Sequence, residues 1–485
     1  MTLREKTING VIWNAISNFS VKGIDFIVGI ILARLLTPGE FGLIGTITIF
    51  LVLSEVFINS GFNQALIRKQ DCSQKDYSTA FFFNLSVAIF LFLILLLIAQ
   101  PISSFFNEPQ LKPLIQVLGI GLIISSLTLV QQSILVKRID FKLQTKINIV
   151  SSILSGILGI YMAFTGFGVW SLVTRSLANR GLISFFLWIW NKWKPEWIFS
   201  IESFKNLFGF GSKLLVSGLI GTLLNNLNYL VIAKYFSTQQ LGYFTRAEMF
   251  KKLPSESISS IITTVAYPVL ATVQDDRMLL KSYFKKMFLN TFFIIVILMV
   301  GLASTAENLI LTLIGEQWLP SVIMLQLLCF TGIMVPLNSM NVNILNVVGR
   351  SDLYLKSQLI VQLLTIPNVF IGITWGIIPM IIGINLITII GYVIYNNQSK
   401  KIINYPLKEQ LFDVFPSVVI ALIMGLIVLL VGYFSQLSSF PTLLLQIFSG
   451  CLFVILYGEL FKVKEYDFIK QTITEKLNVF RINTP

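Results

Sequence analysis

The sequence predicts an all-α integral membrane protein of about 14 transmembrane helices, built as two parallel six-helix lobes related by pseudo-two-fold symmetry plus two C-terminal helices. Three observations carry this. Hydrophobic residues are 55% of the 485 and charged ones 12%, and the apolar residues fall in stretches of about 20 or more, enough to cross a hydrocarbon core of ~30 Å at ~1.5 Å per residue. Lysine and arginine gather between alternate stretches. Short motifs recur about 200 residues apart.

Taken in order, the spans are expected at about residues 8–33, 40–65, 79–104, 113–136, 146–165, 168–190, 207–233, 239–272, 287–306, 320–348, 354–375, 377–397, 412–435 and 440–460. This divides the chain into an N-terminal lobe over 1–200, a second lobe over 201–405, two additional helices over 406–461 and a cytoplasmic tail over 462–485. The stretch from Phe141 to Lys146 and the tail from Phe461 mix basic and apolar residues at helical spacing, which predicts interfacial segments and not spans. With the N-terminus placed in the cytoplasm, 26 of the 36 basic residues fall on the inner side and only Arg34, Lys112 and Lys234 on the outer side. Retained Lys and Arg set orientation, so both termini are expected inside. The net charge of +13 is then a topology signal with some attraction to membrane lipids, and no nucleic acid is needed to explain it.

The internal echo supplies the lobes. Ala33-Arg34-Leu35-Leu36-Thr37 and Phe41-Gly42 return as Ala233-Lys234-Tyr235-Phe236-Ser237 and Leu241-Gly242, an offset of 200. Arg138, Asp140 and Phe141 return as Arg350, Asp352 and Leu353 at an offset of 212. Six spans separate the copies, so the halves share one membrane orientation.

Absences narrow the chemistry. There is no histidine, and the three cysteines, Cys72, Cys329 and Cys451, are scattered, so His-based acid–base work, His-ligated metals and disulfide frameworks are not expected. No catalytic residue, metal or cofactor is expected beyond a coupling ion, and no cleavable signal peptide. No inter-span loop exceeds about 15 residues, which leaves no room for a soluble catalytic domain. All eight tryptophans, Trp318 among them, sit near span ends and are expected to form an aromatic belt.

The informative residues are polar ones inside spans. Asn14, Asn18, Lys22 and Asp25 lie on one face of the first span, and Lys213, Ser217, Gly221, Asn225 and Asn228 on one face of the seventh. The second span adds Glu55, Asn59 and Asn63. The sixth adds Arg175, Asn179 and Arg180, and the eighth Arg246, Glu248, Lys251, Lys252 and Glu256 around Pro254. A charge at mid-membrane costs about 2.5–3.5 kcal/mol even on the lenient insertion scale, so such groups face one another or a wet cavity. Seven cations in the spans stand against four acids. That excess suits an anionic cargo, with Arg and Lys on phosphate oxygens and Asn or Ser on sugar hydroxyls. Lys22 with Asp25, and Glu248 with Lys252, also fit plain helix-surface pairs. Arg175 and Arg180 also fit snorkelling side chains, and Lys251 and Lys252 fit an interface if Pro254 ends a shorter span.

Ala33-Arg34-Leu35-Leu36-Thr37-Pro38, Glu40-Phe41-Gly42, Gly61-Phe62 before Ala65-Leu66-Ile67, Gly168-Val169-Trp170, Leu241-Gly242-Tyr243 with Arg246-Ala247, Leu253-Pro254 and Tyr267-Pro268-Val269-Leu270 follow one another in an order and spacing that has a family likeness. The chain resembles polysaccharide flippases of the multidrug/oligosaccharidyl-lipid/polysaccharide superfamily, in particular the colanic acid exporter-like branch, over almost its full length. The resemblance implies a multi-pass protein of the bacterial inner membrane with a V-shaped central cavity. It would move an undecaprenyl-diphosphate-linked oligosaccharide from the cytoplasmic to the periplasmic leaflet by alternating access, alongside a polysaccharide polymerase and chain-length machinery. Charged cavity residues on the first, seventh and eighth helices of the family match Lys22, Asp25, Lys213 and Arg246.

The expected substrate-binding set is therefore Lys22, Lys213, Arg246, Lys252, Arg175, Arg180, Asn18, Asn225 and Asn228. Asp25, Glu55 and Glu248 are the candidates for binding a coupling H⁺ or Na⁺. Two other readings stay open at this point: a cation-coupled multidrug antiporter of the same superfamily, whose cargo would favour an acidic cavity, and a membrane-embedded glycan polymerase or ligase, which would need a longer outer loop.

Overall fold

The computed structural model describes residues 3–482, among which there is no strand; residues 483–485, the end of the expected tail, lie outside the described residues. The helices are α1 (Leu3–Leu35), α2 (Pro38–Asn59), α3 (Phe62–Arg68), α4 (Gln74–Phe106), α5 (Leu111–Lys137), α6 (Phe141–Phe164), α7 (Val169–Trp190), α8 (Ile201–Tyr235), α9 (Thr238–Ile261), α10 (Tyr267–Thr272), α11 (Arg277–Ser304), α12 (Ala306–Leu313), α13 (Ser321–Val347), α14 (Ser351–Leu363), α15 (Thr365–Trp375), α16 (Ile377–Ile403), α17 (Leu407–Phe434), α18 (Ser439–Phe461) and α19 (Lys464–Ile482). They form two compact units, Met1–Thr245 and Arg246–Pro485.

Twelve of the described helical segments are long and apolar enough to cross a membrane, with α2–α3 and α14–α15 each counted as one. The protein is a multi-pass membrane protein. The expected sixth and eighth spans, α7 and α9–α10, are helical over the predicted ranges but fall outside those twelve. Their arginines, lysines and glutamates lower the apolarity that defines the others.

Local chemistry sets the element ends. Thr37 opens α2 with a capping box: its hydroxyl accepts from the Glu40 N–H, and the Glu40 carboxylate accepts from the Thr37 N–H at 2.7 Å. Two hundred residues on, the Ser237 hydroxyl at the start of α9 accepts from the Gln240 N–H at 3.1 Å, without the return bond from the Gln240 side-chain oxygen. The second echo re-registers. Asp140 N–H donates to Leu135 O (3.0 Å) past Ile139 at φ 57°, and Arg350 N–H donates to Leu345 O (2.8 Å) past Gly349 at φ 75°. The helix-end geometry therefore repeats at 210 residues, two short of the sequence match at 212.

Two expectations are corrected, for Phe141–Lys146 and Trp318, and the span expected over 239–272 is kept against the alternative in which Pro254 ends it. Phe141–Lys146 is not a separate interfacial segment: Asp140 accepts from Leu143 N–H at 3.1 Å and starts α6 there, so those residues are its first turns. Pro254 does not end a span. α9 runs on to Ile261 and through a π turn, Ile262–Ala266, into α10, with Ser255, Ser257 and Ser259 hydroxyls bonded to carbonyls one turn back. Lys251 is buried there, at 6% exposure. Trp318 leaves the belt: it is fully buried in the tight turn Glu316–Trp318, which Gly315 at φ 98° begins.

In the first unit α1 packs on α6, α6 and α5 on α7, and α2 and α4 on α8. Ser60 and Gly61, both at positive φ, break α2 from α3, and a Cβ on Gly61 would lie 2.7 Å from Gly211 of α8. Small residues let helices in lipid approach this closely, where no hydrophobic force between them helps.

In the second unit α17 is clipped to α11. Lys285 Nζ lies 2.7 Å from Asp413 and 3.4 Å from Glu409, and Lys281 lies 2.9 Å from Glu409. The Tyr405 hydroxyl donates to Asp413 at 2.6 Å beneath both ammonium groups. Burial and then that hydrogen bond push the Tyr405 phenol far above its ordinary value. Asp413→Ala leaves Lys285 and Tyr405 each short of a partner and is expected to destabilise this unit by about 1–3 kcal/mol. Glu409→Gln, which leaves the Lys285–Asp413 pair intact, should cost less. Thermal unfolding of the purified protein compares the two.

Candidate functional site

An apolar span carries an ionised side chain only where something compensates it, and α7 shows how. Arg175, Asn179 and Arg180 leave this helix toward four neighbours, α1, α6, α2 and α5. Arg175 Nη2 donates to Asp25 Oδ1 of α1 at 2.6 Å. Asn179 donates to the hydroxyls of Ser155 (3.2 Å) and Ser152 (3.5 Å) on α6. Arg180 pairs with Glu55 of α2 and donates to the Ser125 hydroxyl of α5 at 2.7 Å. Both arginines thus turn into the bundle, toward α1, α2 and α5, and are not stretched to an interface.

The space for them is built into the facing helices. A Cβ on Gly159 would lie 2.8 Å from Arg175 Cβ, and one on Gly121 would lie 3.2 Å from Arg180 Cδ. The carboxylates are the open partners: Asp25 is 50% exposed against 21% for Arg175, and Glu55 37% against 26% for Arg180. An ion pair left that open inside membrane-length helices requires water beside it, because lipid would not solvate it.

The other expected residues distribute as follows. Lys22 is partly buried one turn before Asp25. Asn18 is exposed on α1 and donates to Asn14 O (3.1 Å) and Oδ1 (3.2 Å), a contact within its own helix. Lys213 and Asn225 are exposed on α8, and Lys213 makes no ion pair among the described residues. Asn228 is partly buried, and its side-chain oxygen is shielded without a hydrogen-bond donor. In the second unit Arg246 is partly buried, with Nη1 3.1 Å from Met249 Sδ. Glu248 sits between Lys252 (3.2 Å) and Lys251 (3.8 Å), so the helix-surface pair read from the i, i+4 spacing is present and carries a second lysine.

The structure thus joins Arg175 to Asp25 and Arg180 to Glu55, residues assigned by sequence to separate tasks. Ser125, Gly121 and Gly159 were missed. They carry no charge, and nothing in a single helix's spacing marks a serine or glycine as the seat of an arginine on another helix.

Residues 31–323 match the family model described as "Polysaccharide biosynthesis protein", more than half of the chain. The chain belongs to that polysaccharide biosynthesis protein family. Arg175, Arg180, Glu55, Lys213, Arg246 and Lys252 fall inside the matched region, while Lys22 and Asp25 precede it. Among relatives, the chain is 26% identical to teichuronic acid biosynthesis protein TuaB of Bacillus subtilis (strain 168) over 355 residues, 73% of each chain. It is 24% identical to succinoglycan biosynthesis transport protein ExoT of Rhizobium meliloti (strain 1021) over 485 residues, 97% of this chain and 96% of that one. Its fold is similar to that of the lipid II flippase MurJ in an inward closed conformation, with TM-score 0.78 over 93% of this chain and 100% of MurJ at 18% identity. A polysaccharide biosynthesis protein built on this fold places charged groups inside its spans, where apolar side chains would be cheaper.

Proposed function

We propose that this protein is a flippase that moves an undecaprenyl-diphosphate-linked oligosaccharide, the repeat unit of a polysaccharide, from the cytoplasmic to the periplasmic leaflet. It works in the bacterial inner membrane with both termini in the cytoplasm, by alternating access of the lobes 1–200 and 201–405, coupled to H⁺ or Na⁺. The observation that carries the reading is the excess of cations over acids within the spans, seven against four, in a chain of the polysaccharide biosynthesis family. An anionic lipid-linked sugar gives that excess a purpose, and an organic cation does not. The names of the relatives, which speak of teichuronic acid biosynthesis and succinoglycan transport, support a glycan cargo. The 26 to 3 distribution of basic residues supports the orientation.

In this reading Lys22, Lys213, Arg246 and Lys252 draw the diphosphate, while Asn18, Asn225 and Asn228 meet sugar hydroxyls. The lipid tail stays in the bilayer. The work is transport without chemistry on the cargo, and a polymerase with chain-length machinery takes the product on the far side. Cells of the source bacterium depleted of the protein test this. Lipid-linked oligosaccharide should accumulate in the cytoplasmic leaflet, beyond reach of a membrane-impermeant lectin, and re-expression should reverse it. Repeat units reaching the periplasmic face normally would reject the flippase and favour a polymerase or a drug antiporter.

A further inference from the structure

Resting on that reading, we infer that Arg175 and Arg180 are two anion stations occupied by Asp25 and Glu55 in the empty protein, and that phosphate oxygens of the cargo replace these carboxylates, so that each exchange takes up a proton. The argument starts from what is fixed and what is free. Both guanidinium groups are seated: Arg175 over Gly159, Arg180 over Gly121 with Ser125 accepting from it. Each carboxylate comes from a different helix, and its arginine is its only polar partner among the described residues. The carboxylates are also the more exposed member of each pair. An incoming anion therefore meets the carboxylates first and can take their place without moving the arginines.

The exchange balances. The guanidinium–carboxylate pair opens, a guanidinium–phosphate pair forms, and a proton from water ends on the released carboxylate oxygen. Total charge at the station is unchanged. A carboxylate left without its cation at membrane depth is neutralised, because the charged form has lost its compensation. Among the described residues of α1, α2, α4, α5, α6, α7 and α8, the other carboxylates lie at helix ends and not at mid-span. Around Asp25 the charged groups are Lys22 on its own helix, Arg175 and Arg180 on α7, and Lys142 and Lys146 at one end of α6. Around Glu55 they are Arg180 on α7 and Lys213 on α8, with the remaining charges of α4, α5 and α8, Asp76 and Glu202 included, at helix ends. The two stations are five residues apart on α7, a rise of about 7.5 Å and a rotation of about 140°, so each arginine serves its own carboxylate and the two exchanges are counted separately.

The test uses the full chain in nanodiscs of neutral lipid. The probe is a short-chain polyprenyl diphosphate bearing one sugar, a diester that lacks the phosphomonoester ionisation near about pH 6. Affinity and proton uptake are read together, the latter by a pH dye in weak buffer. The wild type is expected to take up as many as two protons per bound probe, one for each carboxylate displaced. Asp25→Asn with Glu55→Gln keeps the hydrogen-bonding shapes, should bind the probe about tenfold more tightly once the charged competitors are gone, and should take up none. Arg180→Gln should weaken binding and abolish only the share of uptake due to Glu55. Binding by the wild type without proton uptake, or uptake that persists in the double variant, overturns the exchange and leaves the flippase reading standing. A folded wild type that does not bind the probe at all overturns both.

Discussion

Gly42→Ala is expected to destabilise the first unit by about 3 kcal/mol, the upper part of the range for forcing an extra methyl into packed structure. A Cβ at Gly42 would overlap the backbone carbonyl of Thr238, and one at Gly242 would overlap the carbonyl of Pro38. The two glycines, 200 residues apart in the duplicated motif, thus pack reciprocally, each against the first turn of the other's helix. A backbone carbonyl cannot rotate out of the way as a flexible side chain can, so the cost falls on helix separation. Thermal unfolding of the purified protein measures it, with an expected loss of roughly 6–12 °C if the unit unfolds like other domains of its size. Gly39→Ala is the control: it lies in the same first turn, and its nearest neighbour would be Thr37 Oγ1 at 4.0 Å. Equal melting of the two variants would mean that the helices do not approach as described.

Replacing Lys22, Lys213 and Arg246 together by glutamine should lower flipping about a thousandfold. Hydrogen bonds to charged groups contribute about 1.5–3 kcal/mol each, and three at the low end already amount to three decades. Loss of insertion cannot imitate this. Lysine and arginine at mid-span cost about 2.5–3.5 kcal/mol on the insertion scale, so their removal eases entry into the membrane. The charge-conserving triple, Lys22→Arg, Lys213→Arg and Arg246→Lys, should keep much of the activity. Accumulation of inward-facing lipid-linked oligosaccharide in complemented cells gives the readout. Full activity in a well-expressed glutamine triple would remove these cations from the mechanism and leave Arg175 and Arg180 as the anion-binding groups.

The all-helical class, the order of the apolar helices and the side of α1 that bears polar groups are legible in the sequence, whereas the expected fourteen spans stand against twelve of membrane length and apolarity among the described residues. Each of the legible features is written in one dimension. Apolar length defines a span, and i, i+4 spacing puts Asn14, Asn18 and Lys22 on one face. The pair of Glu248 and Lys252 was legible for the same reason, since both partners lie on one helix.

Only the tertiary structure decided which charges meet. Asp25 and Arg175 are 150 residues apart, and Glu55 and Arg180 are 125 apart. Spacing along α7 fixes the direction in which each arginine leaves, but the packing of α6, α5 and α2 around it decides what each finds there. Pro254 shows the same limit from the other side: as a residue it argues for a helix end, and the serine hydroxyls that follow it let the helix continue. Trp318 has the composition of an interfacial ring and is buried by a turn begun at a glycine. A helix is a local solution to backbone hydrogen bonding and can be read locally. An ion pair between helices is a global solution to charge in lipid, and it exists only once the helices have been placed.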